Sequence, residues 1–179
     1  MTNPRAIIAA VAREYVGTRE TSRNRGEALT KFWKATRYPS GAVNREPWCS
    51  AFVTFCVREG DRRSDGIKLR VPPTFAAVAE WLPWAEEAQT GCLVARSAAA
   101  RAGNFRPEPG DIVVFLPRLS HIGIVARTYT GSGAVETIEG NTNSEGSREG
   151  DGVWKKLRPI DFCGTFIRVP CVAAPKGAA

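Results

Sequence analysis

The hydrophobic period of this chain changes at Pro109-Gly110, and that change limits the folds open to it more than any other feature. Upstream, apolar residues recur at helical spacing; downstream, short runs separated by turn residues read as strands. Ile7, Ile8, Val11, Ala12 and Tyr15 share one face of a helix expected over 4–16, with Pro4 suited to its first turn and Gly17 to its stop. A polar loop runs from Thr18 to Gly26, and a second helix is expected over 27–36 with Leu29, Phe32 and Trp33 on one face. Pro39, Gly41 and Pro47 punctuate the next loop. The run from Cys49 to Val57 is apolar nearly all round, which predicts a buried helix. Residues 60–73 read as a charged loop closing on Pro72-Pro73. A helix over 74–82, stopped by Pro83, is expected to turn Phe75, Val78, Ala79 and Leu82 inward. Residues 90–106 carry little pattern and are expected to be loop with a short helix.

Beyond Pro109-Gly110, strands are expected at Asp111–Leu116, His121–Thr128, Ala134–Glu139, Gly152–Leu157 and Gly164–Val169. Gly131-Ser132-Gly133 reads as a hairpin turn and Asn141 to Gly150 as a polar loop. Helices first and a meander of strands second predict an α+β fold, with N-terminal helices packed on one side of a C-terminal antiparallel sheet. Residues 1–170 are expected to form one domain, followed by a tail over 171–179 that frays from Ala173. A chain of 179 residues buries enough surface to stand without disulfides.

Charge narrows the partners. Lys+Arg 25 against Asp+Glu 18 leaves a formal +7, which favours an anionic partner such as nucleic acid, phospholipid or a cell-wall polymer. The cations are scattered and not interleaved with aromatics, so nucleic acid is not an expected partner. No apolar stretch approaches the ~18 residues of a membrane helix, so no membrane insertion is expected. The N-terminal residues lack the long apolar core and cleavage site of a secretory signal. Synthesis in the cytoplasm, with travel by another route if the chain acts elsewhere, is therefore the expectation. Five cysteines without CxxC pairing, Cys49, Cys56, Cys92, Cys163 and Cys171, together with one histidine, argue against a metal site. No metal and no cofactor is expected.

The same residues raise the possibility of nucleophilic catalysis. Pro47 favours a helix start at 48–49, which puts the Cys49 thiol where unpaired N–H groups and the helix dipole stabilise thiolate over thiol. Cys56, two turns on among Phe and Val, is expected in the core. His121 opens a strand and is the side chain suited to pass a proton near neutral pH. Gly123, on the same face two residues later, would let another group approach closely. A third group should orient the imidazole, and the strand Val135-Glu136-Thr137-Ile138-Glu139 offers two carboxylates on opposite faces. Glu139 precedes Gly140-Asn141, a turn able to set an amide beside it.

Four segments then carry a resemblance: Glu46-Pro47-Trp48-Cys49-Ser50-Ala51-Phe52-Val53, Pro109-Gly110-Asp111-Ile112-Val113-Val114-Phe115, Ser120-His121-Ile122-Gly123-Ile124-Val125 and Ile138-Glu139-Gly140-Asn141-Thr142. In order and rough spacing they resemble the CHAP family, the cysteine, histidine-dependent amidohydrolases/peptidases of papain-like fold. Arg19-Glu20 and Asn24-Arg25-Gly26 also resemble the segment ahead of the nucleophile in phage-type members. The resemblance implies Cys49 as nucleophile, His121 as base and then acid, Glu139 as the orienting residue and Asn141 as a fourth polar member. Backbone N–H groups at the helix start would help form an oxyanion hole. Trp48 adjoins Cys49 where a side-chain donor would be useful, and Asn44 lies upstream as a candidate donor.

By that resemblance the chain is a peptidoglycan hydrolase. It would cut either the N-acetylmuramoyl-L-alanine amide or a stem or cross-bridge peptide bond, through a thioester and without a cofactor. A phage or prophage endolysin acting as a monomer on the cell wall or in the periplasm fits best. A contact-delivered effector with an immunity protein as partner, or an amidase of a soluble amide, would carry the same motifs.

Overall fold

The computed structural model describes residues 3–115, 121–129, 131–145, 147 and 149–173. Helix α1 (Pro4–Glu14) begins where Asn3 Oδ1 accepts the Arg5 N–H at 3.1 Å, and it buries Ile8, Ala9, Val11 and Ala12. Helix α2 (Glu27–Lys34) buries Leu29, Phe32 and Trp33, the face its spacing predicts. A single helical turn, α3 (Gly41–Asn44), stands in the segment expected to be loop. Helix α4 (Cys49–Arg63) buries Cys49 to Thr54, Cys56 and Val57 and runs on to Arg63, into the segment expected to be a charged loop. Glu59 holds that extension by pairing with Arg62 at 2.7 Å and Arg63 at 2.8 Å, three and four residues on, and Arg63 also reaches Glu14 of α1 at 2.5 Å.

The expected helix over 74–82 forms later. A 3-10 turn at Val78–Glu80 leads into α5 (Trp81–Glu86), and Pro83 lies in the first turn of α5 instead of ending a helix. Proline is tolerated there because the first N–H groups of a helix have no intrahelical acceptor. Phe75 and Trp81 are the inward residues, while Ala79 is exposed.

Six strands form one antiparallel sheet in the order β2 (Leu93–Arg96), β7 (Cys163–Arg168), β3 (Ile112–Phe115), β4 (Ile122–Tyr129), β5 (Ala134–Thr142), β6 (Gly152–Pro159). The fold is the expected α+β arrangement of helices followed by an antiparallel sheet. Strand β2 lies within the unpatterned stretch and is followed by the short α6 (Ser97–Arg101). Cys171–Ala173, expected in the tail, instead pairs as β8 with β1 (Ile67–Leu69). Leu116 of the first expected strand, and residues 174–179 of the expected tail, lie outside the described residues.

Two apolar clusters sandwich the sheet. Phe32, Trp48, Phe52 and Val11 from the helices meet Ile112, Ile122, Ile124 and Ile138 on one face. Val113, Phe115, Val125, Val135 and Phe166 meet Ala100, Phe105 and Ile160 on the other. The turn into the sheet at Pro109-Gly110-Asp111 is fixed by close approach and by charge. Gly110 has φ +91°, and a Cβ there would sit 1.8 Å from the Arg5 carbonyl oxygen, so no other residue fits. Asp111 is fully buried and accepts from Arg168 at 2.9 and 2.8 Å and from the Glu108 N–H at 2.8 Å.

Candidate active site

Cys49 is the first residue of α4 and is 3 % exposed. The segment before it is anchored by Trp48, whose buried indole donates from Nε1 to Glu20 Oε1 at 2.7 Å. Behind Cys49, Ser50 Oγ accepts from Trp81 Nε1 at 3.0 Å. Trp48 supplies no side-chain cap to α4, so the helix start presents backbone N–H donors beside the thiol. A cleft of about 290 Å³ opens there, lined by Trp33, Tyr38, Glu46, Pro47, Cys49 and Val78 among others. Trp33 Nε1 is buried with no hydrogen-bond partner among the described residues. A larger cavity of about 450 Å³, among Arg101, Phe105, Tyr129 and Ile160, does not include Cys49 or His121.

His121 sits immediately before β4 rather than inside it, and its carbonyl accepts from the Phe115 N–H at 3.2 Å. Its ring stacks on Phe115 with centroids 5.4 Å apart and planes 22° from parallel. Nε2 lies 2.9 Å from Glu139 Oε2. Because an ionised carboxylate only accepts, Nε2 carries the proton and Nδ1 is left as the nitrogen for chemistry. Nδ1 is buried, and the Cys49 side chain is near enough to the ring to hydrogen-bond it and to act on it electrostatically.

Glu139 is fully buried on β5. Its Oε1 accepts from Thr137 Oγ1 at 2.6 Å and Arg158 Nε at 2.8 Å, and its Oε2 accepts from Arg158 Nη2 at 2.7 Å as well as facing His121. The close approach expected at Gly123 is used by this carboxylate: a Cβ on Gly123 would lie 2.8 Å from Glu139 Cγ. Burial alone would raise the Glu139 pKa, but the Arg158 fork and His121 overcome it and hold the carboxyl at about 2. For His121, burial opposes the charged form, yet Cys49 and Glu139 raise the imidazole to about 9.

Of the residues singled out by sequence, the structure brings Cys49, His121 and Glu139 together. Glu136 is only partly buried and reaches toward Lys155 at 3.9 Å, away from the imidazole. Asn141 is 1 % exposed with φ +58°, and its Nδ2 has no partner among the described residues. It borders a separate cavity of about 250 Å³ with Glu20, Arg23, Asn24 and Glu149. The segment at Asn141 is the end of β5 rather than the start of a loop. Asn44, the candidate side-chain donor, is exposed and gives its amide to the Tyr38 hydroxyl. Cys56 is fully buried, and burial pushes its thiol well above the ordinary range. Among the described residues, no group of three or more His, Cys, Asp or Glu is placed to hold a metal ion.

Sequence reasoning missed Thr137 and Arg158. Thr137 had a signal, since it lies two residues before Glu139 on the same face of one strand. Arg158 had none within its own segment, because it meets Glu139 only through the pairing of β6 with β5.

The family model described as CHAP domain matches residues 41–141 of the 179, a span that contains Cys49, His121, Glu139 and Asn141. No curated protein and no solved structure matches the chain.

Proposed function

Since the chain belongs to the CHAP domain family, we propose that it is a cysteine amidohydrolase that cuts an amide bond of bacterial peptidoglycan, with Cys49 as nucleophile, His121 as proton carrier and Glu139 as the residue that orients it. The observation that carries this reading is the placement of the imidazole: Nε2 tied to a buried carboxylate at 2.9 Å, with the Cys49 side chain close enough to the ring to hydrogen-bond it. A nucleophile, a base and an orienting group in that relation are what acyl transfer requires.

Cys49 Sγ, as thiolate, attacks the amide carbonyl carbon, and the oxygen gains the electron pair beside the N–H groups at the start of α4. His121 passes a proton to the amide nitrogen, the C–N bond breaks and the amine leaves, with the acyl group held as a thioester. The now neutral imidazole takes a proton from water, whose oxygen attacks the thioester. The C–S bond breaks, and the carboxylic acid leaves and gives its proton to the solvent, with thiolate and imidazolium restored. Asn141, a fourth polar member by the family resemblance, borders the separate cavity with its Nδ2 donor free of partners among the described residues. The formal +7 supports a polyanionic wall over a small soluble amide. The resemblance of Arg19-Glu20 and Asn24-Arg25-Gly26 to the segment ahead of the nucleophile in phage-type members supports a phage or prophage lysin role.

Mass spectrometry of muropeptides released from purified sacculi tests the proposal. A freed lactyl carboxylate would identify the muramoyl-L-alanine amide, and a new peptide N-terminus would identify a stem or cross-bridge bond. Release by Cys49→Ala protein equal to that of the unaltered chain would end the proposal.

A further inference from the structure

Arg158 makes the closest polar contacts to the site from outside the matched segment, and the mechanism above gives it no task. We propose that Arg158 is a positioning residue of this reaction: the fixed counter-charge that keeps Glu139 an anion while His121 gives up and regains its proton. The inference rests on the amide-hydrolysis reading and deepens it.

The geometry is that of a fork. Arg158, opposite Val135 in the β5–β6 register, donates from Nε to Glu139 Oε1 at 2.8 Å and from Nη2 to Oε2 at 2.7 Å. Oε2 is thus shared between guanidinium and imidazole. The Arg158 side chain is only 11 % exposed, and its guanidinium lies over Phe115 at 5.3 Å and Phe162 at 5.0 Å. Phe115 also stacks on His121, so one ring supports both cation and imidazole.

A buried carboxylate whose sole partner was the imidazole would be compensated only while that ring carried its extra proton. Losing the proton would strand an unpaired buried anion, which is strongly unfavourable, so the pair would hold on to it. The proposed cycle needs both states, an imidazolium to protonate the leaving amine and a neutral ring to take a proton from water. Arg keeps its charge at every working pH, so Glu139 stays compensated in both. Other titratable groups face the cluster and do not replace it. Cys49 of α4 is itself the reacting group. Cys163 of β7 is pushed up to about 12 by burial and stays neutral. Lys156 of β6 spends its ammonium on the Asn143 and Ser144 carbonyls.

His121 is the one histidine of the chain, so a single imidazole resonance reports its titration in the whole, substrate-free protein. In Arg158→Met the His121 midpoint should move upward by about one unit or more, as expected when a nearby cation is removed from a buried pair. Arg158→Lys, which keeps the charge and loses the fork, should move it less. Turnover of sacculi should fall by roughly ten- to hundred-fold in Arg158→Met through kcat with KM little changed, because proton transfer is what suffers. Intact-mass spectra should show acyl-enzyme accumulating, since water activation needs the neutral ring. A folded Arg158→Met protein, judged by its circular dichroism melt, with an unmoved His121 midpoint would overturn the proposal. If Arg158→Met does not fold, Arg158→Gln, which keeps a hydrogen-bond donor and removes the charge, decides: a raised His121 midpoint supports the proposal, and an unmoved one refutes it. Wild-type protein that releases nothing from sacculi would instead remove the hydrolysis reading, and the titration, which needs no substrate, separates that failure from this one.

Discussion

Gly123→Ala is a substitution whose sign separates a generic argument from one specific to this site. In the middle of a strand, Ala is ordinarily the better residue by ~0.5–1 kcal/mol, because Gly loses more backbone freedom on folding. Gly123 lies within β4, opposite Val113 of β3, so the generic expectation is a gain. The local geometry reverses it. The added Cβ would meet Glu139 Cγ at 2.8 Å and the Ile138 carbonyl oxygen at 3.2 Å. Carbon atoms prefer ~3.5–4.0 Å, so Cγ must retreat by roughly 0.7 Å. Glu139 has little freedom to do so, held by Thr137 at 2.6 Å, Arg158 at 2.7 and 2.8 Å and His121 at 2.9 Å. Overpacking of this kind costs ~1–3 kcal/mol, so after subtracting the generic gain of ~0.5–1 kcal/mol a net loss of about 1 kcal/mol remains at mid-range. Displacing the carboxylate also tilts the imidazole, and misplacement approaching 1 Å lowers turnover by roughly ten- to hundred-fold. Urea unfolding midpoints at constant slope, with muropeptide release measured on the same preparations, check both. A higher midpoint with undiminished release would show that Glu139 does not rest against Gly123, and the described geometry would fail with it.

Cys49→Ala should abolish release with the fold intact, whereas Cys56→Ala, at a fully buried position, should keep activity and lose ~1–2 kcal/mol; fastest iodoacetamide labelling at any cysteine other than Cys49 would contradict this. Glu139→Gln should cut turnover, since an amide orients the ring without stabilising its charge, and Glu136→Gln should be nearly silent; equal losses would mean the wrong carboxylate. The pH dependence of stability follows from the signs of the shifts. Glu139, held at about 2 against a free value of 4.5, contributes fully above the free value and less as pH falls toward 2. His121, raised to about 9 from 6.5, contributes fully below the free value and loses that share as pH rises through about 9. Thermal melts should therefore peak between the two free values and flatten at both limbs in Glu139→Gln; an unaltered pH profile in that variant would refute the assignment.

The α+β layout was legible because hydrophobic period survives burial: α1, α2 and α4 bury the faces that their spacing predicts. Where interactions other than period decide, it was not. Gly60 to Arg63 fall in the stretch expected to be a charged loop, but Glu59 pairs with Arg62 and Arg63 along one helical face, and Arg63 pairs with Glu14 of α1. Strand β2 has four residues, two of them exposed, too short for alternation to stand out. Strands β1 and β8 have three residues each and exist through mutual pairing, across a separation that no local pattern encodes.

The site divides along the same physical line. A helix start can favour thiolate and a histidine can carry a proton near neutral pH, but the strand alone left Glu136 and Glu139 open, and it was the resemblance of the four motifs to the CHAP family that pointed to Cys49, His121 and Glu139 together. Arg158 and the posture of Asn141 depend instead on register. The β4–β5 connection is short, with Gly131 and Gly133 in it, and the pairing runs in register from Tyr129 to Arg127 before it shifts between Arg127 and Val125. The β5–β6 connection spans residues 143–151, too long for turn chemistry to set the register, and the pairing slips between Glu139 and Thr142. That irregularity is where Asn141 takes φ +58°, a conformation Asn tolerates better than most residues. A one-residue shift of β6 would send the Arg158 side chain to the opposite face of the sheet and leave Glu139 with the imidazole and the Thr137 hydroxyl. The residue types of the candidate site are thus ones that a motif can hold, while the Arg158 charge beside Glu139 is set by how two distant strands align.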